Sequence, residues 1–274
     1  MEAGAPELPS RRSVAAGPLV ALVTLVAALV ATQVGGVPFR DPDHVAAKYL
    51  VLVGFSVFVL VWIDIMVRAA RRTGRKGPSR AAIRAVRLER WNWHRGLAVA
   101  SALVSFYVSY LAYRNIKSMI PLLRPGDLFD RELADFDRLL FAGHDPVALS
   151  HSLLGAGVQT HVLSAVYVAF IVFLPLALAL ALVFYRDLRG GLFFATALSI
   201  NWPLGAASYL LLPALGPIYA TPADFADLPA SGVTTLQQIL LDDRLEFLRD
   251  PGLAGSAQAI AAFASLHISM TFTA

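Results

Sequence analysis

The sequence predicts an all-α fold, a polytopic bundle of about six transmembrane helices. Three observations predict it. The chain is 57% hydrophobic and only 15% charged, against about 25% charged residues in soluble domains. Its mean hydropathy is +0.62. Long stretches of the chain contain no Asp, Glu, Lys or Arg, namely 13–39, 96–113, 190–223 and 251–274. Uncharged stretches of this kind are typical of helices that cross a bilayer.

The apolar stretches divide the chain into spans and three regions. We place the spans at about 17–36, 48–68, 97–114, 160–185, 191–212 and 257–274. Residues 1–14 are predicted to be a disordered cytoplasmic tail, and 15–95 to hold two spans and a basic loop. Residues 96–274 are predicted to form a catalytic-type membrane domain. We expect the sequence to be truncated, because the sixth span stops at Ala274 without a flanking charge or cap.

The distribution of basic residues predicts the orientation of the spans. From Arg68 to Arg95 the chain has ten Arg or Lys and one acid, Glu89. Basic loops remain in the cytoplasm, which puts the N-terminus inside and the loops 114–150 and 224–250 outside. The isoelectric point near 9.6 predicts an anionic partner. Anionic lipid fits better than nucleic acid because the basic residues flank the predicted spans. The composition favours a GC-rich bacterial genome, hence the bacterial cytoplasmic membrane.

Two loops have the periodicity of short surface helices. In the basic loop, three arginines recur at helical intervals: Arg80, Arg84 and Arg87. This spacing fits a helix on anionic headgroups or a loop that only sets topology. In the outer loop, four apolar residues form one stripe among charges: Leu133, Phe136, Leu139 and Leu140. The stripe predicts a short amphipathic helix at the outer surface.

His267 is a candidate catalytic residue, since it lies in an apolar segment near the predicted outer end of the sixth span. An ionisable group inside a membrane is costly to bury and marks a functional site by default. Imidazole can act as acid or base near neutral pH. The alternative is a histidine hydrogen-bonded to a neighbouring helix. Ser265 follows a Gly/Ala/Ser-rich stretch, 252–264, at a predicted helix start. The free N–H groups of such a start suit a phosphate oxyanion.

The segment Ala264-Ser265-Leu266-His267 resembles the second signature element of the type-2 phosphatidic acid phosphatase/haloperoxidase superfamily. That element usually reads Pro-Ser-Gly-His. The Ser-Leu-His form is more similar to the inositol phosphorylceramide synthase and sphingomyelin synthase branch, which transfers phospho-headgroups. Ala264 departs from the usual proline but leaves the Ser and His in place. The resemblance covers mainly residues 110–274.

The superfamily's first element, Lys-x6-Arg-Pro, is matched by Lys117 and Arg124-Pro125. The resemblance implies that Lys117, Arg124 and the nearby Arg114 bind phosphate, because cations neutralise its charge and that of the transition state. The alternative is that the three basic residues anchor a helix end in lipid headgroups. Two predicted spans separate this element from His267, whereas the family layout has adjacent spans.

The end of the fifth span precedes the span of His267 directly and offers two further candidates. Tyr209 and Tyr219 flank a Pro/Gly-rich helix end that contains no Lys or Arg. These tyrosines are predicted to shape the substrate pocket. For Tyr219, the alternative is a place in the aromatic belt at the membrane interface.

The superfamily's third element, Ser-Arg-x5-His-x3-Asp, has no match in the sequence. Its histidine would be the nucleophile. None of the six histidines is followed four residues later by Asp; they are His44, His94, His144, His151, His161 and His267. We therefore expect either a fragment or a chain that cannot carry out the phosphohistidine mechanism.

The resemblance implies an integral membrane phosphatase or phospho-headgroup transferase that acts on a lipid phosphate at the extracytoplasmic face. A histidine downstream of this sequence would attack phosphorus, and His267 would protonate the leaving oxygen. Neither a metal nor a cofactor is implied, and His144-Asp145 fits a surface turn better than a metal site. The expected partners are the lipid substrate and the bilayer. The alternative is a non-enzymatic membrane transporter or assembly protein.

Overall fold

The computed structural model describes residues 11–41, 44–74, 77–185, 187–252 and 260–274. Residues 1–10 of the predicted tail lie outside this part of the chain, and residues 11–14 belong to a helix. The start of the predicted sixth span, 257–259, also lies outside it.

The described residues form α-helices and no strand, which confirms the predicted all-α class. The helices are α1 (Arg11–Gly35), α2 (Val45–Thr73), α3 (Arg80–Arg90), α4 (Trp93–Leu123), α5 (Asp130–Leu140), α6 (Pro146–Leu154), α7 (Val158–Phe184), α8 (Leu188–Leu211), α9 (Pro217–Ala220), α10 (Gly232–Arg249) and α11 (Leu266–Thr273). One 3₁₀ turn, Pro222–Phe225, follows α9. Helices α3 and α5 confirm that the two segments with helical periodicity are helices, and their place at the membrane surface stays a prediction.

Within the described ranges, four helices are long and apolar enough to cross a membrane: α1, α2, α4 and α7. They confirm four of the predicted spans by length and composition. Helix α8 occupies the place of the fifth span but is not among the four, since polar residues such as Asn201 interrupt it. Helix α11 has only eight residues. The count of six spans therefore stays a prediction.

Helix α4 is the centre of the bundle and packs against α1, α2 and α8. Small buried residues such as Ala28 of α1 and Ala112 of α4 allow the helices to approach closely. The outward faces of α1, α2 and α7 expose large apolar side chains, among them Val51 and Phe55. An exposed apolar belt of this kind fits contact with lipid.

Helix α4 continues well past Arg114, where the sequence placed the end of the third span. Its last residue is Leu123. The charge does not end the helix because Arg114, only 5% exposed, pairs with Asp41 at 3.0 Å. The side-chain amide of Asn115 also donates to the backbone carbonyl of Arg40 at 2.9 Å. These contacts provide partners for the Arg114 and Asn115 side chains inside the bundle.

The opposite end of the bundle is fixed by Asp64, which is 3% exposed. Its carboxylate accepts hydrogen bonds from Arg68 at 2.7 Å, from Arg90 at 2.9 Å and from the indole of Trp91 at 2.9 Å. Arg90 also donates to the carbonyl of Val183. The cluster ties α2, α3 and α7 together.

Candidate functional site

The start of α11 is built by Ser265, as the sequence predicts. Ser265 is the N-cap, and its Oγ accepts a hydrogen bond from the backbone N–H of Ile268 at 3.4 Å. The segment before it is fixed to the end of α8, because the N–H of Ala264 donates to Oγ of Ser208 at 3.0 Å. The N–H of Ala262 donates to the carbonyl of Ala214 at 3.0 Å. The exposed Ser265 side chain leaves its hydroxyl accessible.

Helix α11 is seated directly on α8. A Cβ at Gly205 would lie 2.8 Å from Cδ2 of Leu266, so only glycine allows this approach without a shift of the leucine. Asn201 of α8 accepts a hydrogen bond from Ser269 and donates to Oγ1 of Thr273 at 3.2 Å. Asn201 therefore holds α11 in place.

The imidazole of His267 lies against two aromatic rings of α7. Its centroid is 4.2 Å from that of Tyr167, with the planes 22° apart, and 4.4 Å from that of Phe170 at 43°. His267 is half-buried. Two rings spaced one helical turn apart restrict the orientation of the imidazole plane, so α7 positions the predicted catalytic residue.

The structure brings Lys117 to the same region as His267. The ammonium of Lys117 lies 6.0 Å from the ring centroid of Tyr113 and 5.8 Å from that of Tyr209. Both distances are within the range of a cation–π contact. Packing of α4 against α8 and of α8 against α11 therefore joins residues that two spans separate in the sequence.

The other two predicted phosphate ligands have different surroundings. The guanidinium of Arg114 pairs with Asp41 and lies 5.9 Å from the ring centroid of Tyr110. Arg124 ends α4, where its Nε donates to Asp127 at 2.7 Å and its Nη1 donates to the carbonyl of Leu210 at 2.9 Å. Arg124 and Tyr209 both line a cavity of about 210 Å³. Arg124 therefore remains accessible from a cavity, whereas Arg114 is buried.

The two tyrosines predicted for the pocket are placed differently. Tyr209 is buried and connects Lys117 with the cavity that Arg124 lines. The hydroxyl of Tyr219 donates to the carbonyl of Gln237 at 2.9 Å and so joins α9 to α10. Burial raises the pKa of Tyr219. Its hydroxyl thus supports the outer helices.

Several residues of this region had no assignment from the sequence. Tyr113 precedes Lys117 by one helical turn, and this spacing could have indicated a shared face. Tyr167 and Phe170 carry no such signal, because an aromatic residue of an apolar helix can face lipid equally well. Arg244 of α10 lines the same cavity as Arg124.

Across the described ranges, no three His, Cys, Asp or Glu side chains cluster as metal ligands. Asp145 caps α6, where its carboxylate accepts a hydrogen bond from the N–H of Val147 at 2.8 Å. This contact gives the His144-Asp145 pair the surface-turn role predicted for it.

Four helices of the bundle are long and apolar enough to cross a membrane, which defines the class as a helical membrane protein. Its candidate site combines a half-buried histidine, a lysine and two tyrosines on helices that pack against one another. Comparison of the chain with known proteins narrows this class. A family model of the PAP2 superfamily matches residues 131–274, and the chain belongs to this superfamily. Its members are of the phosphatase and phosphotransferase type. No curated protein and no solved structure matches the chain. Ser265 and His267 lie within the match, whereas Lys117 and Arg124 precede it.

Proposed function

We propose that the chain is an integral membrane lipid-phosphate enzyme, either a phosphatase or a phospho-headgroup transferase, with its site at the extracytoplasmic face. Membership of the PAP2 superfamily supports the type of reaction. The observation that carries the proposal is that α8 packs against both α4 and α11, which carries His267. Lys117 of α4 lies 5.8 Å from the ring of Tyr209 on α8. The face follows from the basic loop between Arg68 and Arg95, which positive-inside topology keeps in the cytoplasm.

In this proposal, Lys117 binds the phosphate of the substrate. Its ammonium lies within 6.0 Å of the ring centroids of Tyr113 and Tyr209, and no carboxylate among the described residues pairs with it. A cation in such a water-poor region interacts strongly with an anion, because little solvent screens the charge. Arg124 adds a second cation from the end of the same helix. Arg114 was predicted as a third ligand, but its pairing with Asp41 makes support of α4 its better role.

His267 is the proposed general acid. The nucleophilic nitrogen of a histidine in a His-x3-Asp element attacks phosphorus, a P–N bond forms, and the P–O bond to the leaving group breaks. His267 gives its proton to that leaving oxygen. The element that supplies the nucleophile is absent from these 274 residues, so it belongs to the proposal only through the family resemblance. Water or a lipid alcohol then takes the phosphoryl group and regenerates the histidine.

Ser265 adds a hydrogen-bond donor beside the acid. It is exposed at the N-terminus of α11, and the first backbone N–H groups of a helix are suited to binding an anion. The Ser265-Leu266-His267 sequence favours the headgroup-transferase branch of the superfamily. The acceptor in that case is the hydroxyl of a second lipid rather than water.

The proposal is tested by phosphate release from phosphatidic acid in mixed micelles, using the natural gene product. His267→Ala is expected to lower the rate by about 100- to 10,000-fold, the usual contribution of a general acid. His144→Ala removes an exposed histidine of the outer loop and serves as the matched control. It is expected to leave the rate unchanged. Equal rates for wild type and His267→Ala would remove His267 from the mechanism.

A further inference from the structure

A cavity between α4, α8 and α10 collects two arginines from distant parts of the chain. Its volume is about 210 Å³, and Arg124, Arg244 and the buried Tyr209 lie in its wall. Much of the remaining wall is apolar, including Ile120, Leu128, Leu215, Leu248 and Ile260. The cavity therefore combines positive charge with an apolar surface, the two properties of a site for an amphipathic anion.

Helix α10 directs Arg244 toward this cavity. Phe247 is 2% exposed and packs with Val37 and Met119, which fixes α10 against the bundle. Arg244 precedes Phe247 by three residues and Leu248 by four, so the three side chains share one face of the helix. Leu248 lines the cavity together with Arg244. Arg244 is half-buried on this face.

The Arg244 guanidinium has five N–H donors, yet no hydrogen bond or ion pair to it exists among the residues that the structure describes. The carboxylate of Asp130 acts on it electrostatically, but Asp130 already accepts from the N–H of Leu215 at 3.0 Å and from that of Gly216 at 2.7 Å. Burial lowers the pKa of Arg244, and the charge of Asp130 opposes this effect. A partly desolvated cation without an acceptor is costly.

Arg124 also has binding capacity left. Its Nε and Nη1 are engaged by Asp127 and by the carbonyl of Leu210, while Nη2 has no partner within the described part of the chain. Among the described residues, Asp127 is the single acidic residue in the cavity wall. The neighbouring Asp130 is engaged by the N–H groups of Leu215 and Gly216, so guanidinium donors of Arg124 and Arg244 remain for an anion.

We propose that this cavity is a phosphate-binding subsite and that Arg244 is a substrate-binding residue of it, opposite Arg124. The ligand is a phosphate monoester whose first methylene groups lie along the apolar wall. Since this inference deepens the proposed function by adding a ligand residue from α10, its test measures binding separately from turnover. Tyr209 links the subsite to Lys117.

The test is equilibrium binding of dodecyl phosphate and of inorganic phosphate to the natural gene product in a nonionic detergent. Arg244→Gln is expected to weaken the binding of dodecyl phosphate at least tenfold, the usual effect of one charge-assisted hydrogen bond. Arg249→Gln removes the same charge from an exposed position of α10 and is the matched control, expected to stay within twofold of wild type. Arg244→Lys keeps the charge and is expected to recover part of the affinity.

Unchanged affinity of Arg244→Gln for dodecyl phosphate overturns the inference. An equal loss of affinity in Arg249→Gln also overturns it, because it would indicate a general effect of surface charge. Tighter binding of dodecyl phosphate than of inorganic phosphate supports a lipid ligand, whereas equal binding supports the anion site with free phosphate as its ligand. If wild type releases phosphate and His267→Ala does not, but Arg244→Gln binds normally, only this inference fails. If Arg244→Gln loses binding while no form releases phosphate, only the proposed function fails.

Discussion

His267 of α11 stacks on Tyr167 of α7, with the ring centroids 4.2 Å apart and the planes inclined by 22°. Phe170, one turn further along α7, contacts the same imidazole. The orientation of the proposed acid is therefore set by a helix that supplies no charged residue to the site. The rate of phosphate release should therefore depend on this stacking, even though Tyr167 has no chemical role of its own.

Replacement of Tyr167 tests this dependence. Tyr167→Leu removes the stacked ring, and we expect kcat for phosphate release to fall about tenfold while KM changes little, because the phosphate-binding cations are untouched. Tyr167→Phe keeps the ring and should retain kcat within about twofold. An equally large loss in Tyr167→Phe would show that the hydroxyl, rather than the stacked ring, matters. An unchanged kcat in Tyr167→Leu would remove the positioning role.

The close approach of Gly205 to Leu266 predicts that substitutions at these two positions have non-additive effects on the free energy of unfolding. A methyl group at position 205 would lie 2.8 Å from Leu266 Cδ2, so Gly205→Ala should lower the free energy of unfolding by about 1–3 kcal/mol. Leu266→Ala opens space at the same contact, and the double variant should lose less than the sum of the two single losses. Denaturant titration of all four forms in detergent measures the cycle. Additive losses would contradict the contact.

The absence of cysteine from the sequence makes the predicted topology directly measurable. Ala81→Cys places a thiol on exposed α3, and Ser152→Cys places one on exposed α6. A membrane-impermeant maleimide should label Ser152→Cys in intact cells, whereas Ala81→Cys should be labelled only after permeabilisation. The reverse pattern would place the proposed site at the cytoplasmic face.

Periodicity and charge predicted much of the helical layout. Four of the six predicted spans correspond to α1, α2, α4 and α7, and amphipathic spacing located α3 and α5. The end of α4 was misplaced because Arg114 looked like a flanking charge. Its partner Asp41 is 73 residues away in the chain, and a local pattern cannot show a pair of that kind.

The site was predictable only where a motif marks it. Ser265 and His267 were found from four consecutive residues, and Lys117 from its spacing to Arg124. The proximity of Lys117 to His267 depends on how α4, α8 and α11 pack, which the sequence does not encode locally. Arg244 was not singled out because its importance comes from a cavity shared with Arg124.

The central claim is that Lys117 and His267 act on the same phosphate. A double-mutant cycle in kcat/KM for phosphate release from phosphatidic acid tests it, with Lys117→Met, His267→Ala and both together. Lys48→Met, at an exposed site of α2, controls for the loss of a lysine. Groups that act as a unit are strongly non-additive, so the double variant should be no slower than the slower single variant. Independent, multiplicative losses, or no loss with Lys117→Met, would contradict the account.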